Sequence, residues 1–171
     1  NTNFTAALTA PTVEEILTSK GRLYIDAATA TIGTTQVTNT LLSGTLNVAT
    51  GWKAVWTADG NLFFIFAKNT PPEITLDLTY EHNSSAETEY AAFVARTPRN
   101  IQLKFEGSTL TSAGTYSVKT FIVNLCGTYE TWDAFGDQDG NNTVSCTFRA
   151  AYDSTAALFA NIIVVNEVAS I

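Results

Sequence analysis

The chain has 171 residues, 45% of them hydrophobic and 15% charged, with a formal net charge of −7. It is long enough for one domain with a substantial core, and too apolar to be a wholly disordered chain. Its nine basic residues stand singly, which excludes the phosphate-binding patch of a protein that wraps nucleic acid, and no apolar run reaches the roughly 20 residues of a membrane helix.

Asn1 to Ala10 is rich in Thr and Ala and has no period, so it reads as an arm; it opens without Met, as a processed or trimmed start would. Thr12-Val-Glu-Glu15 is a capping-box signature, and it opens a short helix over about 13–20 that Gly21 ends. Arg22 to Asp26 is a short strand. Residues 27–42 are small and polar and fit either an irregular loop or an edge strand of weak register. Thr45 to Thr50 and Trp52 to Thr57 are strands, Asp59-Gly60 signals a hairpin, and Leu62 to Ala67 returns. Leu62 to Phe66 does not alternate, which predicts burial on both faces, and Trp52 and Trp56 on one strand face read as core aromatics rather than as a platform for sugars.

From Glu73 to Glu106 the pattern is strand, helix, strand. Ile74, Leu76, Leu78 and Tyr80 alternate with Glu73, Thr75, Asp77, Thr79 and Glu81, giving one apolar face and one acidic, hydroxyl-rich face. Asn83-Ser84-Ser85 offers N-caps, with Glu87 three residues after Ser84, and the stripe Ala86, Tyr90, Phe93, Val94 predicts a helix over about 85–96 that Pro98 stops. Ile101, Leu103 and Phe105 alternate with Gln102, Lys104 and Glu106 in a second one-sided strand. Tyr116 to Cys126 is a long strand, Gly127 to Asn142 a 16-residue loop, and Thr143 to Tyr152 and Phe159 to Val168 close the sheet. The fold class expected is mainly β, with two packed, largely antiparallel sheets in a sandwich or barrel-like arrangement, one flanking helix and the short N-terminal helix. Residues 1–21 form the arm and short helix, and 22–171 a single domain.

Reactive constellations are missing from this pattern. His82 is the sole histidine, so a multi-histidine metal site cannot form, and no Gly-x-Ser-x-Gly elbow occurs. Asp137-Gln-Asp-Gly-Asn-Asn142 imitates a calcium loop, yet it puts Gly140 at position 4 and Phe148 at position 12, and an Asp-Gly turn explains it. Cys126 and Cys146 read as small buried hydrophobes, with a disulfide as the alternative. The expectation is therefore no catalytic residue, no metal and no cofactor.

Trp56-Thr-Ala-Asp-Gly60, Leu62 to Lys68, Pro72 to Leu76, Tyr80-Glu-His-Asn83 and Thr97 to Gly107 together resemble the tail tube (major tail) proteins of long-tailed bacteriophages. Thr143 to Thr155 and Val164 to Ser170 are similar to that family's closing strands, so the likeness covers about residues 50–171. It implies a structural virion protein, made in the host cytoplasm and built into the tail. Its subunits would self-associate, as hexameric rings stacked into a tube, around a channel that DNA traverses without tight binding and with no membrane involved. Glu73, Thr75, Asp77, Thr79 and Glu81 are the lumen-facing candidates. The aromatic and acidic residues of the 127–142 segment, Tyr129, Trp132, Phe135, Asp137 and Asp139, are the candidates for contact between rings. The alternative is an extracellular β-sandwich that binds carbohydrate or acts as an adhesin.

Overall fold

The computed structural model describes residues 18–58, 60 and 62–167. The arm and most of the short N-terminal helix expected from the sequence lie outside the described residues; Thr18–Lys20 is a single 3-10 turn. The rest is mainly β. Its strands are β1 (Gly21–Ala27), β2 (Gln36–Val37), β3 (Leu41–Ala49), β4 (Trp52–Val55), β5 (Phe66–Asn69) and β6 (Glu73–Glu81). After helix α1 (Ser84–Val94) come β7 (Arg99–Thr109), β8 (Val118–Trp132), β9 (Gly136–Gln138), β10 (Asn141–Ala150) and β11 (Ala160–Val165).

Nine of the strands form one antiparallel sheet in the order β2-β1-β7-β8-β10-β6-β3, with β11 on β8 and β9 on β10. The layers are joined through β8, whose 15 residues let its first part pair with β7 and β11 and its last part with β10. Gly127 marks the changeover, where a Cβ would run into the Arg149 carbonyl. Leu23 and Ile25 of β1 share one core cluster with Leu76, Leu78 and Tyr80 of β6, although three strands of the order, β7, β8 and β10, separate β1 from β6. The sheet therefore bends over a common interior and leaves β2 and β3 as its ends, with no closed barrel among the described strands. Among the described strands β4 and β5 pair only with each other.

The alternation read over 73–81 holds: Leu76, Leu78 and Tyr80 are buried and Glu73 and Asp77 exposed. The outer face of β7 is drier than its sequence suggests, because residues 28–35 fold over it. Asp26 fastens that cover. It accepts from the Gly33 N–H at 2.7 Å, the Thr34 N–H at 3.2 Å and hydroxyl at 2.6 Å, and the Thr35 N–H at 2.8 Å. Beneath it, Gln102 Nε2 donates to Asn124 Oδ1 at 2.8 Å, and Asn100 Nδ2 faces the carbonyls of Ala27, Ala28 and Ala30. Burial pushes the Asp26 carboxyl up, but the bonds from Thr34, Thr35 and Gly33 outweigh it and hold the group below the usual carboxylate range.

Helix α1 is capped by Asn83, whose Oδ1 accepts from the N–H groups of Ser85 and Ala86. The capping box expected at Ser84 does not form, since Glu87 lies one place too late for an Asn83 cap; its carboxylate stands 3.8 Å from His82 Nε2. The helix stops before Pro98 in a Schellman turn, with Thr97 N–H on the Ala92 carbonyl, Arg96 N–H on Phe93, and Arg96 at φ 52°. The buried stripe is Ala86, Glu89 and Ala92, rotated from the expected one, so Tyr90 and Val94 are exposed. Glu89 points inward because Arg99 meets it, Nε to Oε2 at 3.1 Å. Burial pushes its carboxyl up, while Arg99 and Tyr129 partly offset that shift.

Cys126 and Cys146 are free and buried. Cys146 faces the interior opposite Leu78, whereas Cys126 follows inward-facing Leu125 and so points to the other side. Sheet geometry keeps the two thiols apart.

Candidate assembly surfaces

The first surface is the polar face of β3, β6, β10 and the end of β8. Glu73, Thr75, Asp77, Thr79 and Glu81 all project from it, as their alternation requires, with Thr45 and Asn47 on one side and Ser145, Thr147 and Arg149 on the other. Asp77 is the centre of a cross-strand ladder: Asn47 Nδ2 donates to one carboxylate oxygen and Thr147 Oγ1 to the other, both at 2.8 Å. Thr79 and Ser145 hydroxyls meet at 3.4 Å. Arg149 bridges Glu73 at 3.2 Å and Glu130 at 3.0 Å. The result is a hydroxyl-lined, net acidic wall whose groups are held by one another.

The second surface corrects the sequence reading. Residues 127–142 are not an open loop; β8 runs to Trp132, and β9 with the start of β10 makes a tight hairpin turned at Asp139 and Gly140, both at positive φ. Tyr129 and Trp132 belong to the fold. Tyr129 is 4% exposed, and its hydroxyl lies 3.3 Å from that of Tyr80. Trp132 packs among Tyr80, Tyr90, Phe93 and Tyr129, with ring centroids 5.5 to 6.2 Å apart. Residues three apart on a plain strand face opposite sides. Here a bulge between Thr147 and Phe148 leaves Glu130 as the extra residue on β8, so Tyr129 and Trp132 both turn inward. Phe135, Asp137 and Asp139 remain outside, Phe135 at 69% exposure with its ring edge-on to His82 at 4.6 Å.

The third surface was assigned to the core by sequence and is the opposite. The β4–β5 hairpin carries Trp52, Trp56 and the run from Leu62 to Phe66, all exposed, with Leu62 at 87% and Phe63 at 79%. Trp56 and Phe64 meet edge to face, and each keeps more than half of its surface exposed. The missing alternation is real, but none of the described residues covers these side chains on both faces. The hairpin is an arm. Its base is closed by the Thr70 N–H and hydroxyl, both donating to the Gly51 carbonyl, at 2.8 and 2.9 Å.

Among the described residues no group of three or more His, Cys, Asp or Glu stands close enough to hold a metal ion, and no helix is long and apolar enough to cross a membrane. Comparison with solved structures decides what the architecture is. The chain superposes on the SPP1 phage tail tube subunit with a TM-score of 0.58 at 9% identity, covering 79% of this chain and 75% of that one. This chain has a tail-tube fold. The Hcp protein aligns over 85% of this chain and 98% of its own at 10% identity, with a TM-score of 0.44. No family model and no curated protein sequence matches. In this chain the bent sheet is the body, and it carries the three exposed surfaces.

Proposed function

We propose that this chain is a structural subunit of a virion tail, which closes into hexameric rings stacked around a channel for DNA. The observation that carries this reading is the shared fold with the SPP1 tail tube over most of both chains. Two physical features support it. Among the described strands β3 ends the sheet with nine residues paired only to β6, and a long open edge is a liability unless a neighbour pairs or covers it. The arm likewise exposes large apolar side chains that a solitary chain would bury.

The wall bearing Glu73, Thr75, Asp77, Thr79 and Glu81 is the proposed lumen. Fixed negative charge repels duplex DNA, so the channel would pass it without holding it. Phe135, Asp137 and Asp139 are the proposed ring-to-ring contacts, without Tyr129 and Trp132. Exposure of Trp52 and Trp56 favours one other reading, a carbohydrate-binding module. Negative-stain microscopy and sedimentation of the purified chain separate the two. Rings or tubes are expected; a monomer at high concentration that shifts on binding glycans would replace the tube reading. Duplex DNA should bind weakly, and tight binding with a steep salt slope would contradict an acidic channel.

A further inference from the structure

Two exposed features of the fold sit at opposite ends of β6. The arm joins the body at Ala49 and Glu73, which pair with each other, and the β9–β10 hairpin joins at Thr143, which pairs with Glu81. Nine residues of strand, about 30 Å, separate the two attachment points. Their chemistry is complementary. On the arm Lys53 lies directly across from Lys68, and neither has a carboxylate partner among the described residues. Like charges directly opposite destabilise a strand pair, and incoming carboxylates would relieve them. The hairpin and its approach carry Asp133, Asp137 and Asp139, all exposed and without an ion-pair partner among the described residues, around the exposed ring of Phe135.

We propose that the arm of one copy seats on the Asp133–Asp139 hairpin of a second copy, in a head-to-tail contact that sets the stacking direction. This rests on the tube reading above and adds which surfaces meet. Lys53 and Lys68 face Asp137 and Asp139, and the apolar tip of the arm covers Phe135. Because the two patches differ and lie at opposite ends, the contact is heterologous and repeats, which builds a filament and not a closed pair. An arm-to-arm dimer would bring four lysines together. The acidic wall is a poorer receptor, since Asp77 is already bonded to Asn47 and Thr147, and Glu73 and Glu130 to Arg149.

The test uses the full chain in three forms: Lys53→Glu with Lys68→Glu, Asp137→Lys with Asp139→Lys, and all four together. All sites are exposed, so circular dichroism and melting temperature should match the parent. Each double variant should shorten tubes roughly tenfold in negative stain, and the fourfold variant should restore their length, because reversing both sides recreates the attraction. Unchanged tubes in either double variant, or no recovery in a folded fourfold variant, would overturn the pairing while leaving the tube reading standing. A parent chain that forms no tubes would overturn both. As a positional check, Phe63→Cys and Phe135→Cys proteins mixed and oxidised should cross-link to each other; cross-linking of Phe63→Cys to itself means an arm-to-arm contact instead. Flotation of the parent with anionic vesicles, lost on reversing the lysines while tubes persist, would assign the arm to a bilayer and overturn the proposal.

Discussion

At the scale of single residues the informative side chains are polar or aromatic groups turned inward. Asp26 holds the 28–35 cover by accepting four hydrogen bonds, and its carboxyl is depressed in the folded chain. A depressed carboxyl adds stability that is present above its unfolded value, about 4, and is lost as pH falls through the folded one. Asp26→Asn should cost about 2 kcal/mol at pH 7, since the new amide sets a donor against backbone donors, and the difference from the parent should shrink towards pH 3. Urea unfolding at the two pH values measures both; an equal gap at each would mean Asp26 is not the group that titrates. Trp132, expected from sequence to be a contact residue, instead closes the gap between α1 and the sheet. Trp132→Ala should destabilise the isolated protomer by about 3 kcal/mol, as large-to-small changes in packed aromatic sites do. A melting temperature unmoved by that change would return Trp132 to the surface.

At the scale of elements, strands were legible where the period is two and helices where caps and stripes agree. The Glu73–Glu81 strand was readable to the residue, because burial on one face imposes alternation that chemistry cannot hide. The 127–142 segment was not, because a bulge at Glu130 breaks the period that defines a strand. Glu89 was missed for a related reason: a carboxylate on a buried stripe is readable only when its partner is known, and Arg99 lies beyond the Schellman turn. That turn offers a direct check. Arg96 occupies a left-handed position that suits glycine, so Arg96→Gly should raise stability by about 0.5 kcal/mol, read from the denaturation midpoint. The arm depends on the glycine at its base. At Gly51, φ is 78° and a Cβ would meet the Thr70 carbonyl, so Gly51→Ala should re-aim the arm and reduce tube assembly while the melting temperature of the body barely moves. Normal tubes from that variant would show that arm direction is unimportant.

For the whole molecule, the bent sheet puts the acidic wall on its outer polar face, with the arm at one end and the acidic hairpin at the other. Reversing Asp77 and Glu81 to Lys should leave the protomer folded, at a cost of about 1 kcal/mol for the two bonds Asp77 accepts, and should impair DNA delivery from an assembled virion. Full infectivity in that variant would move the wall to the outside of the tube.

By itself the sequence determined the fold class, the amphipathic strand and helix at the centre, and the acidic character of one face. These are local or compositional: alternation, caps and net charge survive without knowing what lies beside them. Only the tertiary structure decided that Tyr129 is interior with Trp132 half-buried against it, that Asp26 and Glu89 have partners, and that the most hydrophobic hairpin is exposed among the described residues. Those outcomes depend on contacts between residues far apart in the chain. Hydrophobicity predicts that a surface will be buried, and cannot say whether the same chain or another copy will bury it.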